Sequence, residues 1–338
     1  MSTRFAQSLA VTVVLALLGS ALAQRSDIVI AYNSPDQWAN WGGVLRAFTA
    51  ATGIQAPNDA KNSGQTLAAL QAEAARPQAD TAYYGIVFGI EAKRVGVAQA
   101  YQPPGFDEIP EALKDPEGYW FTVHRGAIAF LVNTDQLGST PVPQCWSDLA
   151  DPAYAGLVGF LDPTQAAVGY SVVVAANLAL GGTLENFDPA IDYFTRLYRN
   201  GLILPAQTAT ALVQQGEIPI LIDADFNGYR LAIVDDAPIT VVIPCEGSLE
   251  IPYVMSLVNN APRPDNGRLL LDFALSDAGQ RLFVESFLRP VRDIEIDPAI
   301  SAQLLPASDY ERVVGTDFAA MQAAQEDVTR RWRDEATR

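Results

Sequence analysis

The chain is poor in the side chains that carry most enzyme chemistry: its 338 residues hold one histidine, two cysteines and three methionines. His124, Cys145 and Cys245 fall short of a convincing four-ligand zinc set. No Walker A sequence, dinucleotide fingerprint or His-Glu-x-x-His pair is present, and no Gly-x-Ser-x-Gly elbow exists to partner the histidine. Signature-bearing nucleophilic and metal hydrolases are thereby excluded, whereas a hydrolase built on two carboxylates carries no local signature and stays open. Cations are scarce as well. Against 39 Asp and Glu stand 22 Lys and Arg, a net charge of -17 that repels nucleic acid and anionic lipid. Past residue 23 no apolar run approaches the roughly 20 residues that a bilayer span requires.

What is there begins with a leader. Arg4, a nearly unbroken apolar stretch over residues 9–18 and Ala21-Leu22-Ala23 form the pattern of a cleaved export signal, so residues 1–23 are expected to be removed. No cysteine follows the cut, which argues against a lipid anchor. The hydrophobic fraction of 49% is ample for buried cores, and the length exceeds one ordinary core, so two lobes are expected. In an oxidising compartment Cys145 and Cys245 can pair, closing a loop of about 100 residues worth on the order of 4 kcal/mol. Two buried small residues are the alternative.

Strands and helices alternate. Residues 27–31 read as a strand and 38–52 as a helix, with Gly53 as its C-cap. Residues 65–75 read as a second helix, followed by a strand over 81–85. A β-rich run over 119–133, with His124 as an ordinary strand residue, is long enough to bridge two lobes. The alternation resumes with a strand over 157–161 and helices over 166–180, 189–200 (N-cap Asp188) and 209–215. A strand over 218–222 follows, then 240–244 and a return run over 251–258. Helices over 268–275, 279–288 and 317–333 close the chain, the first two packing back on the first lobe. This pattern predicts an α/β protein with mostly parallel sheets flanked by helices.

In such sheets ligands bind where strand ends enter helix N-termini. Four segments qualify: Tyr32 to Asp36, with Ser34 as a candidate N-cap and Asp36 in the first turn; residues 62–66 around Ser63; Tyr84-Gly85; and Thr164-Gln165. Trp38 and Trp41, at helical spacing, are expected to pack under the lobe, whereas Tyr84 is placed to face a cleft. After the 218–222 strand come Asp223, Asp225 and Asn227, polar groups aimed at the same crevice; the two carboxylates can take a cation or merely cap the next helix.

These segments, read in order, resemble a known family. The landmarks are Ile28 to Asn33; Phe48 with Thr52-Gly53-Ile54; Gln78-Ala79-Asp80; and Arg125-Gly126 with Val132-Asn133-Thr134. They continue with Trp146 to Leu149 and Asp151-Pro152; Gly156 with Val158-Gly159 leading to Asp162-Pro163; Ala261-Pro262; and Leu275-Ser276 with Gly279-Gln280. The chain resembles the extracytoplasmic solute-binding proteins of ATP-binding-cassette importers, in the branch of iron, thiamine, polyamine and phosphonate binders. The resemblance implies the type 2 periplasmic-binding-protein fold, with lobe 1 over 24–124 and 250–338, lobe 2 over 125–249, and crossings near 125 and 250. It also implies a periplasmic monomer without catalysis or cofactor that closes on a small solute and docks transiently on a membrane permease. In the iron binders adjacent tyrosines precede a Tyr-Arg; here Phe226 and Asn227 occupy those positions ahead of Tyr229-Arg230, which argues against ferric iron. Ser34, Ser63, Thr164 and Gln165 suit an oxyanion or polyol; Asp36, Tyr84, Asp223 and Asp225 suit an amine. A phosphonate-like, sugar-phosphate-like or polyamine-like solute is therefore expected.

Overall fold

The computed structural model describes residues 27–205 and 209–338; the expected leader lies outside them. After β1 (Ala31–Tyr32), helix α1 (Trp41–Thr52) ends at Gly53, whose φ of 76° lets its N–H close on the Thr49 carbonyl. That is the C-cap the sequence indicates. The helix starts at Trp41 and not at Trp38, because Ala39 and Asn40 take φ values of 51° and 56° that break the helical path. Helix α2 (Ser63–Ala72) starts earlier than Gln65: Asn62 accepts the Gln65 N–H while the Gln65 side chain accepts the Asn62 N–H, a reciprocal capping box. Then come β2 (Thr81–Gly85), α3 (Ile86–Arg94), β3 (Ala98–Gln99) and the long β4 (Phe121–Asn133).

The chain continues through α4 (Trp146–Leu149), β5 (Val158–Gly159), α5 (Ala167–Ala179), α6 (Asp188–Arg199) and α7 (Ala209–Gln215). Asp188 is the first residue of α6 and not its N-cap; its N–H is taken by Asn186 Oδ1 at 2.9 Å. Next are β6 (Ile220–Ala224), α8 (Asp225–Tyr229), β7 (Ile239–Val242) and the second long strand, β8 (Ser248–Val258). Helices α9 (Pro264–Leu275) and α10 (Asp277–Val284), strand β9 (Arg289–Pro290), short helices α11 (Pro298–Ser301) and α12 (Ala307–Tyr310), strand β10 (Val313–Val314) and helix α13 (Phe318–Arg331) complete the order.

The sheet runs β1-β2-β8-β4-β6-β5. Pairings β1/β2 and β5/β6 are parallel, as α/β units require, whereas β8 runs antiparallel to both β2 and β4, and β4 antiparallel to β6 and β7. The two-lobed α/β architecture thus holds with mixed rather than mostly parallel sheets. The reason is topological: one long strand leaves the first lobe and the other returns to it, so they run in opposite directions. Residues 121–127 of β4 pair with β8, and residues 128–133 pair with β6 and β7. Helices cover both faces, which is why β4 is apolar almost throughout and buried at all positions but Arg125.

Helix α13 does not stay on the first lobe. Near its start Gln322 donates to Glu91 of α3, while beyond its end Trp332 packs edge-on against Phe160 and Phe194, and Arg331 pairs with Asp188 of α6. The chain end is a strap across both lobes.

Cys145 and Cys245 form a disulfide with Cα atoms 4.8 Å apart, and Cys245 is exposed, so the buried-small-residue alternative is set aside. Next to it, Glu246 accepts the Trp146 and Ser147 N–H groups at 2.7 and 2.9 Å, adding a second anion at the start of α4 beside Asp148, whose carboxylate accepts the Cys145 N–H at 2.9 Å. Reducing the bridge should cost about 4 kcal/mol by loop-closure entropy. The check is the urea midpoint with and without reductant; coincident curves would contradict a bond that constrains the unfolded chain.

Candidate functional site

A cavity of about 240 Å³ opens between the lobes, lined from one side by Asn33, Pro35, Gln37, Trp38, residues 60–63 and Tyr253. Leu161, residues 166–168, Ala209, Thr210, Asp223 and Asn227 line it from the other. Its first wall is the turn between β1 and α1. Asn33 sits there at φ 63° and donates through Nδ2 to the Tyr83 carbonyl at 2.7 Å. Asn tolerates this left-handed conformation because its side chain can bond locally. The left-handed Ala39 and Asn40 then throw Trp38 out over the cavity instead of into a helix. Trp38 meets Phe226 and Tyr253 edge-on at 5.3 and 5.5 Å, and its indole N–H donates to the Tyr83 hydroxyl at 2.9 Å. That hydroxyl lies 2.8 Å from Nε2 of the fully buried His124, which burial pushes down to a pKa of about 3. The sole histidine is a neutral brace behind the cleft.

The anion-seeking groups come from both lobes. Lys61 is the cation among the described lining residues; its ammonium is fixed by Asp59 at 2.7 Å and lies 3.8 Å above the Tyr32 ring centroid. Opposite it, the thirteen-residue helix α5 opens on the cavity with Ala166, Ala167 and Val168, and its N-cap residue, Ala166, has no side-chain hydrogen bond to offer. The first-turn N–H groups of a helix have no partner within the helix. Ala167 and Val168, which carry two of them, line the cavity at the positive end of the dipole, with no capping side chain. Ser63, first residue of α2, adds a hydroxyl whose oxygen accepts the Gly85 N–H at 3.2 Å.

The lobes touch at two glycines. Gly64 donates its N–H to the Gln165 carbonyl at 3.2 Å, and a Cβ on Gly64 would lie 2.7 Å from that oxygen. A Cβ on Gly85 would come within 2.5 Å of the Ala167 Cβ. Only bare backbone allows the two helix starts to approach this closely.

Of the residues singled out in the sequence, Ser63, Asp223 and Asn227 line the cavity. The others are placed elsewhere. Tyr32 is buried with its hydroxyl on Glu73, and burial followed by that carboxylate raises its pKa to about 12. Ser34 is not an N-cap: α1 begins seven positions later, and its hydroxyl donates to Ala31 O at 2.9 Å. Asp36 is exposed and pairs with Arg46. Tyr84 is fully buried in β2 rather than facing the cleft. Gly85 and Gln165 act through their backbone, and the Thr164 N–H is taken by Asp162 at 2.8 Å. Asp225 points away from the cavity; it accepts from Ala127 N at 2.8 Å, Arg289 at 2.7 Å and Tyr310 at 3.0 Å.

Sequence reasoning named neither Lys61, Tyr253 nor the start of α5 as site groups; it included Asn33 only as part of the Tyr32 to Asp36 turn and packed Trp38 under the lobe, whereas both line the cavity. The signal for α5 was a negative one: a long apolar helix whose N-cap position holds alanine.

Asp223 is 2% exposed, and burial raises its pKa to about 7 despite the Ala224 N–H and Asn227 on its Oδ1. It is the carboxylate among the described lining residues. One acid does not make the flanking pair a carboxylate hydrolase needs.

Against known proteins, the family described as bacterial extracellular solute-binding protein matches residues 79–320. The chain belongs to that family. A Haemophilus influenzae relative without a named function is 33% identical over 65% of this chain and 65% of its own length, just under two thirds. A Salmonella typhimurium protein whose name proposes 2-aminoethylphosphonate binding in the periplasm is 29% identical over 81% of this chain and 82% of its own. Among solved structures, AfuA of Actinobacillus pleuropneumoniae, with fructose-6-phosphate bound, superposes with a TM-score of 0.78 at 26% identity, over 91% of this chain and 98% of that one. Members of this family are solute-binding components of importers and not enzymes, and no described helix of this solute-binding protein is long and apolar enough to cross a membrane.

Proposed function

We propose that this protein captures a small organophosphorus anion, a phosphonate or a phosphate ester, in the periplasm and hands it to the permease of an ATP-binding-cassette importer. The observation that carries the reading is the uncapped N-terminus of α5 opening on the cavity opposite Lys61. A helix start and a cation from opposite lobes make a tetrahedral oxyanion the group that closure clamps. A polycation would meet Lys61 and the positive dipole end. Ferric iron would find the buried Phe226 ring and the Asn227 amide where the iron binders carry phenolates.

Lobe 1 comprises residues 24–124 and 250–338, lobe 2 residues 125–249, with hinges near 125 and 250. Solute bound better by the closed form shifts the population toward closure. The monomer bends at these crossings, with α13 strapped over both lobes, after the leader over 1–23 has been cleaved.

A thermal-shift series tests the ligand class. A ligand at 100 times its Kd should stabilise by about 2.7 kcal/mol. Phosphonates and sugar phosphates should raise the melting temperature while spermidine, thiamine and ferric citrate leave it unchanged. A rise with spermidine alone would reverse the assignment.

A further inference from the structure

His124 is fully buried in a strand that is otherwise almost wholly apolar, and the register of β4 shows what brings its side chain there. Thr122 pairs with Val254 of β8, Val123 is passed over, and His124 pairs with Tyr253. The extra residue is a bulge, a feature that re-aims the side chains beside it. In an unbroken register Val123 would oppose Tyr253. The bulge sets the imidazole there instead, on the sheet face from which Tyr253 reaches the cavity. The two rings stack at 5.5 Å and 21°, Tyr83 stacks on Tyr253 at 5.1 Å and 20°, and Phe283 of α10 closes on the imidazole at 5.0 Å.

The polar atoms of this cluster form a directed chain. An indole N–H can only donate, so the Tyr83 oxygen accepts from Trp38 at 2.9 Å and its own proton is left for His124 Nε2 at 2.8 Å. Were the imidazole the donor, the buried phenol proton would have no acceptor among the described residues, a costly arrangement. An indole has one donor, so the bond to Tyr83 is the polar anchor of the Trp38 ring beside the cavity.

We infer that His124 is a positioning residue for solute binding: its Nε2 takes the Tyr83 proton, which leaves the phenol oxygen to hold Trp38 against the cavity, while its ring backs Tyr253. The role rests on the reading above only in taking the cavity as the solute site, and it holds for any solute. Trp38 also meets Phe226 of the other lobe at 5.3 Å, so a loosened indole weakens the closed form more than the open one.

A single histidine makes the test direct. Heteronuclear NMR of the isotope-labelled native protein near neutral pH should show the imidazole protonated on Nδ1 and bare on Nε2; a ring protonated on Nε2 would overturn the assignment without need of any variant. The Trp38 indole N–H, identified by its loss in Trp38→Phe, should exchange with solvent about 3- to 10-fold faster in His124→Phe, the usual worth of one neutral hydrogen bond. In His124→Gln, whose amide oxygen accepts near the Nε2 position, slow exchange should return. Unchanged exchange in His124→Phe would remove His124 as the anchor. For affinity, fructose-6-phosphate and 2-aminoethylphosphonate serve as calorimetric probes, with the melting transition of each variant showing that it is folded. A probe that binds the native protein should bind His124→Phe about 3- to 10-fold more weakly and His124→Gln within about twofold, and in the Trp38→Phe background the His124→Phe change should cost no more than about twofold. Equal losses in both backgrounds would make His124 an ordinary core residue and overturn the role. If neither probe binds, the organophosphorus reading falls, and the imidazole tautomer and the indole exchange still decide whether His124 holds Trp38.

Discussion

Arg289→Met should lower the unfolding free energy by about 3–5 kcal/mol, the usual cost of stranding one member of a buried ion pair. Asp225 is fully buried, and Arg289 at 2.7 Å is its counter-charge; the Tyr310 hydroxyl and the Ala127 N–H are neutral donors. The guanidinium also lies 4.1 Å over the Tyr310 ring, so the change removes a stacked contact as well. The pair ties α8 to β9, which itself pairs with β4 at His124 and Arg125, so the damage falls at the first crossing. Pairing Arg289→Met with Asp225→Asn should recover much of the loss, because it removes the stranded charge. Urea unfolding of the two single variants and the double, at unchanged m-value, gives the coupling. A single-variant loss below about 1 kcal/mol would mean that the carboxylate is not held ionised by this partner.

For Asp223 the expected effect is opposite in sign to that of an acid whose carboxylate is stabilised by a cation. Its folded pKa of about 7 lies above the unfolded value near 4. Between those values the folded state holds a proton that the unfolded state has released, so ligand-free stability is full below about pH 4 and declines as pH rises to about 7. The decline attributable to this group is up to about 4 kcal/mol, from about three pKa intervals of 1.36 kcal/mol each. Asp223→Asn, which keeps a neutral group of the same shape, should therefore gain on the native protein as pH goes from 4.5 to 7.5. Unfolding free energies of both proteins at those two pH values give the difference. A difference that stays flat with pH would show that Asp223 carries its charge at no cost.

Much of the fold was legible because its signals are local. Gly53 announces a left-handed C-cap and residues 121–133 carry unbroken strand character, neither of which depends on distant contacts, whereas the Asn62–Gln65 capping box that starts α2 was read past. The start of α1 was misread because apolar spacing from Trp38 onward continues through Ala39 and Asn40, whose left-handed conformations serve the cleft and not the helix. Polar turns were legible as turns but not as binding groups. Ser34 and Tyr32 look like ligands in one dimension, yet their hydroxyls are spent on Ala31 and Glu73. The start of α5 was invisible as a site because its donors belong to the backbone of alanine and valine.

Asp223 and Asp225 show where the division falls. By itself the sequence determined the element order, the α/β class and the family, because period, caps and turn residues act over a few positions. It also placed both carboxylates at the end of one strand. Only the tertiary structure decided their fates: β6 stops at Ala224 and α8 begins at Asp225, so the chain rotates between two side chains that would share a face on a continuing strand. Asp225 turns to Arg289 and becomes framework, while Asp223 is left in the cleft with no paired cation among the described residues. The partner that separates them lies far along the chain, and burial, which a linear pattern does not carry, gives the distinction its energy.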